Sequence, residues 1–173
     1  MVRRSRSARP SSWRRGRSER ALPVKIKIAW IGKTKEPAIA SLTEEYLKRI
    51  SRYAQVEGVS LRDEAALLET CGRAGGTKAA SKSTLVLMDS RGKEISSEQF
   101  AKFLGDYQDR NPLPLIFAIG GADGFSEAAR GAAQHTISLG KMTLAHELAR
   151  VVLLEQLYRA FTILKRHPYH SGH

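Results

Sequence analysis

Residues 117–161 read FAIGGADGFSEAARGAAQHTISLGKMTLAHELARVVLLEQLYRAF, two short apolar runs that each end in a glycine turn, followed by a long helical pattern. Residues 115–119 lead into Gly120, Gly121 and Gly124, and residues 136–139 lead into Gly140, Lys141, Met142 and Thr143. This is strand, loop, helix, twice over. Parallel α/β sheets bind ligands in such loops, because backbone N–H groups and helix N-termini converge at the carboxyl ends of the strands.

Working outward, the same alternation covers the preceding chain. Residues 24–31 (VKIKIAWI) predict a strand ended by Gly32. Residues 36–53 predict an amphipathic helix with Pro37 in its first turn, its apolar positions being Ile39, Leu42, Tyr46, Leu47 and Ile50. Residues 55–61 form a weaker strand, and 63–80 a short helix broken at Gly72 and Gly75. A compact strand, TLVLM at 84–88, closes on Asp89 and turns through Arg91 and Gly92. Residues 96–107 restore helical spacing behind Ser96 or Ser97 as N-cap. A helix over 126–133, a strand over 135–139 and a helix over 143–165 complete the order. The expected fold class is α/β, a parallel sheet with helices on both faces.

Composition limits the partners. The 173 residues suit one domain, taken as 23–173, behind an Arg- and Ser-rich extension at 1–22 that has too few aliphatic residues to bury. Three readings fit the extension: an RNA-contacting arm, an organelle transit peptide, or an upstream segment with no role. The formal charge of +12 favours a polyanion such as RNA. Eight Arg and one Glu in the first twenty residues account for more than half of it, leaving the body at about +5. A single cysteine, Cys71, excludes an internal disulfide framework and fits a reducing compartment, and no apolar run approaches the length of a membrane span. A cytoplasmic protein without membrane or metal partners is expected.

Three groups of residues carry candidate chemistry. GGADG at 120–124 permits close backbone approach to a ligand but equally serves as a tight turn, and it matches neither GxGxxG nor GK[ST], so neither a dinucleotide nor ATP is favoured. In the second loop Thr143 is the expected N-cap of the final helix, which places His146 in its first turn. There the helix dipole disfavours imidazolium, as a general base requires; a capping or packing histidine fits the same position. Arg150 follows four residues later on the same face, and Glu155 with Arg159 repeats that spacing as a structural pair. Behind Lys165 and Arg166, Pro168 ends the helix before Tyr169 and His170. An aromatic beside cations suits nucleobase recognition, and an ordinary frayed terminus has the same composition. The final helix carries apolar residues on nearly every side, which calls for its own sheet on one face and a second subunit on another.

Taken together, MDSRGK, IGGADG, SLGKMTLAHELARVVLLEQLYRA and HPYH, in that order, resemble the SPOUT-superfamily methyltransferases that modify N3 of pseudouridine in large-subunit (23S) ribosomal RNA. The resemblance spans residues 24–170. It implies a trefoil-knotted α/β fold, a homodimer, and S-adenosylmethionine bound at Met88, Gly120, Leu139, Gly140, Lys141, Met142, Thr143 and Leu144. It also implies that His146, Tyr169 and His170 lie near the target base on the ribosome, and that no metal takes part. Relatives commonly continue with a basic residue after the Tyr-His pair, where this chain has Ser171. A ribosome-binding factor of the same fold without catalysis is the competing expectation, and the presence of His146, Tyr169 and His170 argues against it.

Overall fold

The computed structural model describes residues 24–72 and 82–168. The 1–22 extension, part of the 63–80 segment, Tyr169, His170 and Ser171 fall outside the described residues. Ten elements alternate: β1 (Lys25–Ile31), α1 (Pro37–Ile50), β2 (Gln55–Leu61), α2 (Glu64–Thr70), β3 (Thr84–Glu94), α3 (Ser97–Arg110), β4 (Leu115–Ile119), α4 (Glu127–Ala132), β5 (His135–Ser138) and α5 (His146–Leu164). All strands are parallel, in the order β2-β1-β4-β3-β5.

Side chains alternate across a strand, so each central strand feeds two cores. Leu115, Phe117 and Ile119 join Ile26, Ile28, Val86 and Met88 under α1, α3 and α5, whereas Ile116 and Ala118 join Ala29, Leu85 and Leu87 under α2 and α4. That is the two-faced sheet the continuous run LIFAI requires. Local chemistry starts the helices where the sequence indicates. Pro37 occupies the first turn of α1, Ser96 and Gln99 form a reciprocal capping box on α3, and Ser126 caps α4.

Two boundaries differ from expectation. β3 does not stop at Met88. Met88 and Lys93 both pair with Ile137 of β5, so residues 89–92 are extruded and the strand resumes beside its partner. Apolar patterning does not record this, because the pairing partner lies more than forty residues further on. Thr143 does not cap α5. The helix starts at His146 with Ala145 as N-cap and no side-chain cap, because residues 143–145 stay outside the helix along the cleft described below.

Gly92 sits where the extruded segment crosses β5. A Cβ there would lie 2.7 Å from backbone atoms of Thr136 and Ile137, closer than backbone can yield. Gly92→Ala should therefore destabilise the fold by about 3 kcal/mol, the upper part of the usual cost of overpacking. A urea midpoint equal to that of the parent would refute this.

Helix α5 packs between α1 and α3. Its inward stripe is Arg150, Leu153, Leu154, Leu157, Ala160 and Phe161, and its Glu155–Arg159 pair forms at 2.7 Å. The neighbouring helices and the sheet cover this stripe, while Val151, Val152, Tyr158 and Ile163 are only half-buried. Apolar surface stays open at the start of the helix, where Leu148 is 50% exposed, with the preceding Leu144 and Met142, and at its last residue, Leu164.

Candidate active site

The carboxyl ends of β3, β4 and β5 open into a cleft of about 350 Å3, a size that suits a nucleoside-like ligand. Of the residues expected to hold a cofactor, Met88, Gly120, Leu139, Gly140, Met142, Thr143 and Leu144 line it, and so does His146. Lys141 is exposed and is not part of the lining. Tyr169 and His170 lie outside the described residues. Two loops separated in the chain by α4 and β5, with the first residue of α5, thus meet around one space.

Each loop is shaped by its own short-range bonds. After β4, the Gly124 N–H donates to the Gly121 carbonyl at 3.1 Å, closing a turn in which Gly124 takes a φ of +72°. Gly120 is pressed against that turn, since a Cβ would stand 3.1 Å from the Gly124 carbonyl carbon and oxygen. After β5, the Ser138 hydroxyl donates to the Gly140 carbonyl at 2.9 Å and accepts from the Gly140 N–H at 3.2 Å. Gly140 has a φ of +132°, which side-chain-bearing residues rarely adopt. Both loops therefore present backbone to the cleft and leave it unfilled by side chains.

The extruded residues 89–92 supply a third wall, with a charge network that sequence reading did not assign. Asp89, 5% exposed at its side chain, receives the Arg130 guanidinium through Nε at 2.9 Å and Nη2 at 2.8 Å, and the Arg91 backbone N–H at 2.9 Å. Glu127 bridges Arg130 and Arg91, each at 2.9 Å. Asp89 and Arg130 both line the cleft, so the carboxylate facing the ligand is already neutralised. A signal for this existed: a carboxylate placed directly after four buried apolar residues needs a cation, and α4 offers Arg130.

His146, half-buried, is the first residue of α5 and faces the same cleft. Its neighbour Glu147 turns away to accept the Lys35 backbone N–H at 2.8 Å, and that bond holds the Glu147 carboxyl below the usual carboxylate range. Arg150, one turn after His146 in α5, points into the core and stacks on Trp30, 4.3 Å from its ring. No group of three or more metal-ligating side chains gathers among the described residues, and none of their helices is long and apolar enough to cross a membrane.

Comparison with known proteins gives this arrangement its class. The family model described as predicted SPOUT methyltransferase matches residues 24–170, and the chain belongs to that family of methyltransferases, whose knotted α/β fold agrees with the all-parallel sheet found here. It is 55% identical over 150 residues to the ribosomal RNA large subunit methyltransferase H of Koribacter versatilis, a match covering 87% of this chain and all of the relative. The protein of the same name from Geotalea daltonii is 41% identical over 152 residues, covering 85% and 99%. Among solved structures, a probable methylase family protein from Haemophilus influenzae superposes with a TM-score of 0.55 at 10% identity, covering 85% of this chain and 70% of that one. A probable methyltransferase from Bordetella pertussis gives 0.52 at 12% identity, covering 80% and 95%.

Proposed function

We propose that this methyltransferase transfers the methyl group of S-adenosylmethionine to N3 of a pseudouridine in 23S ribosomal RNA, acting in the cytoplasm on the assembled ribosome. The observation that carries the reading is the meeting of His146 with both glycine loops in one cleft. The names of the relatives, which are ribosomal RNA large subunit methyltransferases, support the substrate class.

The cleft fits the cofactor. Gly120 and Gly140 bring no side chain into the cleft, which leaves room for a purine against the backbone, and Met88, Leu139, Met142 and Leu144 offer apolar contact. Thr143 adds a hydroxyl, and Lys141 stands outside the lining at the turn. When bound, S-adenosylmethionine supplies an electrophilic methyl group on a sulfonium.

N3 of pseudouridine carries a proton at neutral pH, so it becomes a nucleophile only as that proton leaves. His146 is the group in the cleft suited to take it, and the neutralised Asp89 does not compete for the role. Tyr169 and His170 are proposed to orient the base. The exposed apolar start of α5, with Leu144, Leu148 and Met142, is the surface proposed to bury itself in a homodimer.

The test is incubation with methyl-labelled S-adenosylmethionine and ribosomes from a strain lacking the modification, followed by mapping of the labelled nucleoside. Label on N3 of pseudouridine in 23S RNA is the expected result. Cofactor binding without transfer would reassign the chain as a non-catalytic ribosome-binding factor.

A further inference from the structure

The loop of residues 32–36, between β1 and α1, is anchored at both ends and leaves two cations free. At its root, Gly32, with a φ of +94°, donates its N–H to Leu61 at 2.9 Å and accepts the Ser60 hydroxyl at 2.7 Å. At its far end the Lys35 N–H is held by Glu147, the residue next to His146. Lys33 and Lys35 are exposed, and no ion pair among the described residues involves either ammonium. A third cation lies beneath. Arg150 is 1% exposed and stacks on Trp30, two residues before Gly32, and its Nε and Nη2 have no hydrogen-bond partner among the described residues.

A buried guanidinium without a direct counterion is costly, and an apolar residue of similar volume would fill the same space more cheaply. Its charge is also poorly screened there, so it reaches the surface of the loop above. Glu147 is a nearby carboxylate, and it is engaged with the loop backbone. Three cations, Lys33, Lys35 and Arg150, thus outnumber the two carboxylates beside them, Glu36 and Glu147, and leave net positive charge beside His146 but outside the cofactor cleft. S-adenosylmethionine carries no phosphate, whereas an RNA substrate presents one at every nucleotide.

We propose that the 32–36 loop is a phosphate contact for the RNA substrate, with Lys33 and Lys35 as the contacting cations and Arg150, stacked on Trp30 in the strand that leads into the loop, as a buried cation that adds to its positive charge. This rests on the RNA methyltransferase reading above. Holding the loop to Glu147 sets the register between a backbone phosphate and the residue that faces the target base.

The test uses the full chain and ribosomes lacking the modification, with affinity measured between about 50 and 200 mM salt. For K33A/K35A, two exposed substitutions, affinity should fall about tenfold or more at the low-salt end. The slope of log K against log salt should shrink by about 1.4 to 1.8, the release expected for two phosphate contacts. S-adenosylmethionine affinity should be unchanged. For Arg150→Met, the urea midpoint should equal or exceed that of the parent while KM for ribosomes rises several-fold. Unchanged affinity and slope in K33A/K35A would overturn the loop assignment, and unchanged KM in Arg150→Met would overturn the role of the arginine. Failure of the parent to transfer label would instead remove the underlying function, and the parent serves as the control in each assay.

Discussion

His146→Ala is expected to lower turnover by about 10²- to 10⁴-fold, the range over which a positioned general base contributes, while S-adenosylmethionine affinity stays within about twofold. The side chain lies at the first residue of α5 and touches the cleft from one side only. The loops that form the rest of the wall are held by their own Gly121–Gly124 and Ser138–Gly140 bonds, which do not involve His146. Alanine is also well tolerated at a helix start without a side-chain cap, so the fold should survive. Single-turnover transfer and calorimetric cofactor titration on the same preparation separate the two effects. Loss of cofactor affinity in parallel with turnover would show His146 to be part of the cofactor pocket.

Gly120→Val should have the opposite signature, loss of cofactor binding by about tenfold or more. The substituted Cβ alone would stand 3.1 Å from the Gly124 carbonyl carbon and oxygen, and the valine methyl groups add volume where the cleft is lined by backbone. The turn must move or the cleft must fill. Overpacking of this kind costs about 1–3 kcal/mol, of which some appears as lost stability and the rest as lost affinity. Equilibrium dialysis with S-adenosylmethionine, with a thermal melt to establish folding, reads the two separately. Wild-type affinity in a folded Gly120→Val protein would mean that the first loop does not hold the cofactor.

The central sheet was legible because each strand carries its instruction locally. The run LIFAI must be buried on both faces, and QVEGVSL alternates as a strand at the sheet edge does. The meeting of the two glycine loops was legible only through the order of the motifs, since neither loop alone distinguishes a ligand site from a turn. What stayed hidden depends on contacts made across the chain. The second half of β3 exists because β5 pairs with both sides of the extruded residues. The start of α5 moved because residues 143–145 follow the cleft instead of the helix axis. Arg150 reads by spacing as lying on one face with His146, but spacing does not show that it goes inward with Leu153, Leu154 and Leu157. The Asp89–Arg130 pair needed α4 to be placed beside β3 before its charges could be matched.

The double engagement of β5 also has a kinetic consequence. Its four residues pair with both halves of β3, one on either side of the bulge, and the chain that follows becomes a wall of the cleft. Such distant pairing is slow, because loop closure is completed before the contacts that reward it form. Binding competence and the docking of β5 therefore go together: without β5 in place the cleft lacks its second glycine loop. A ligand in the cleft then favours the chain with β5 docked, raising the stability of the native chain by mass action.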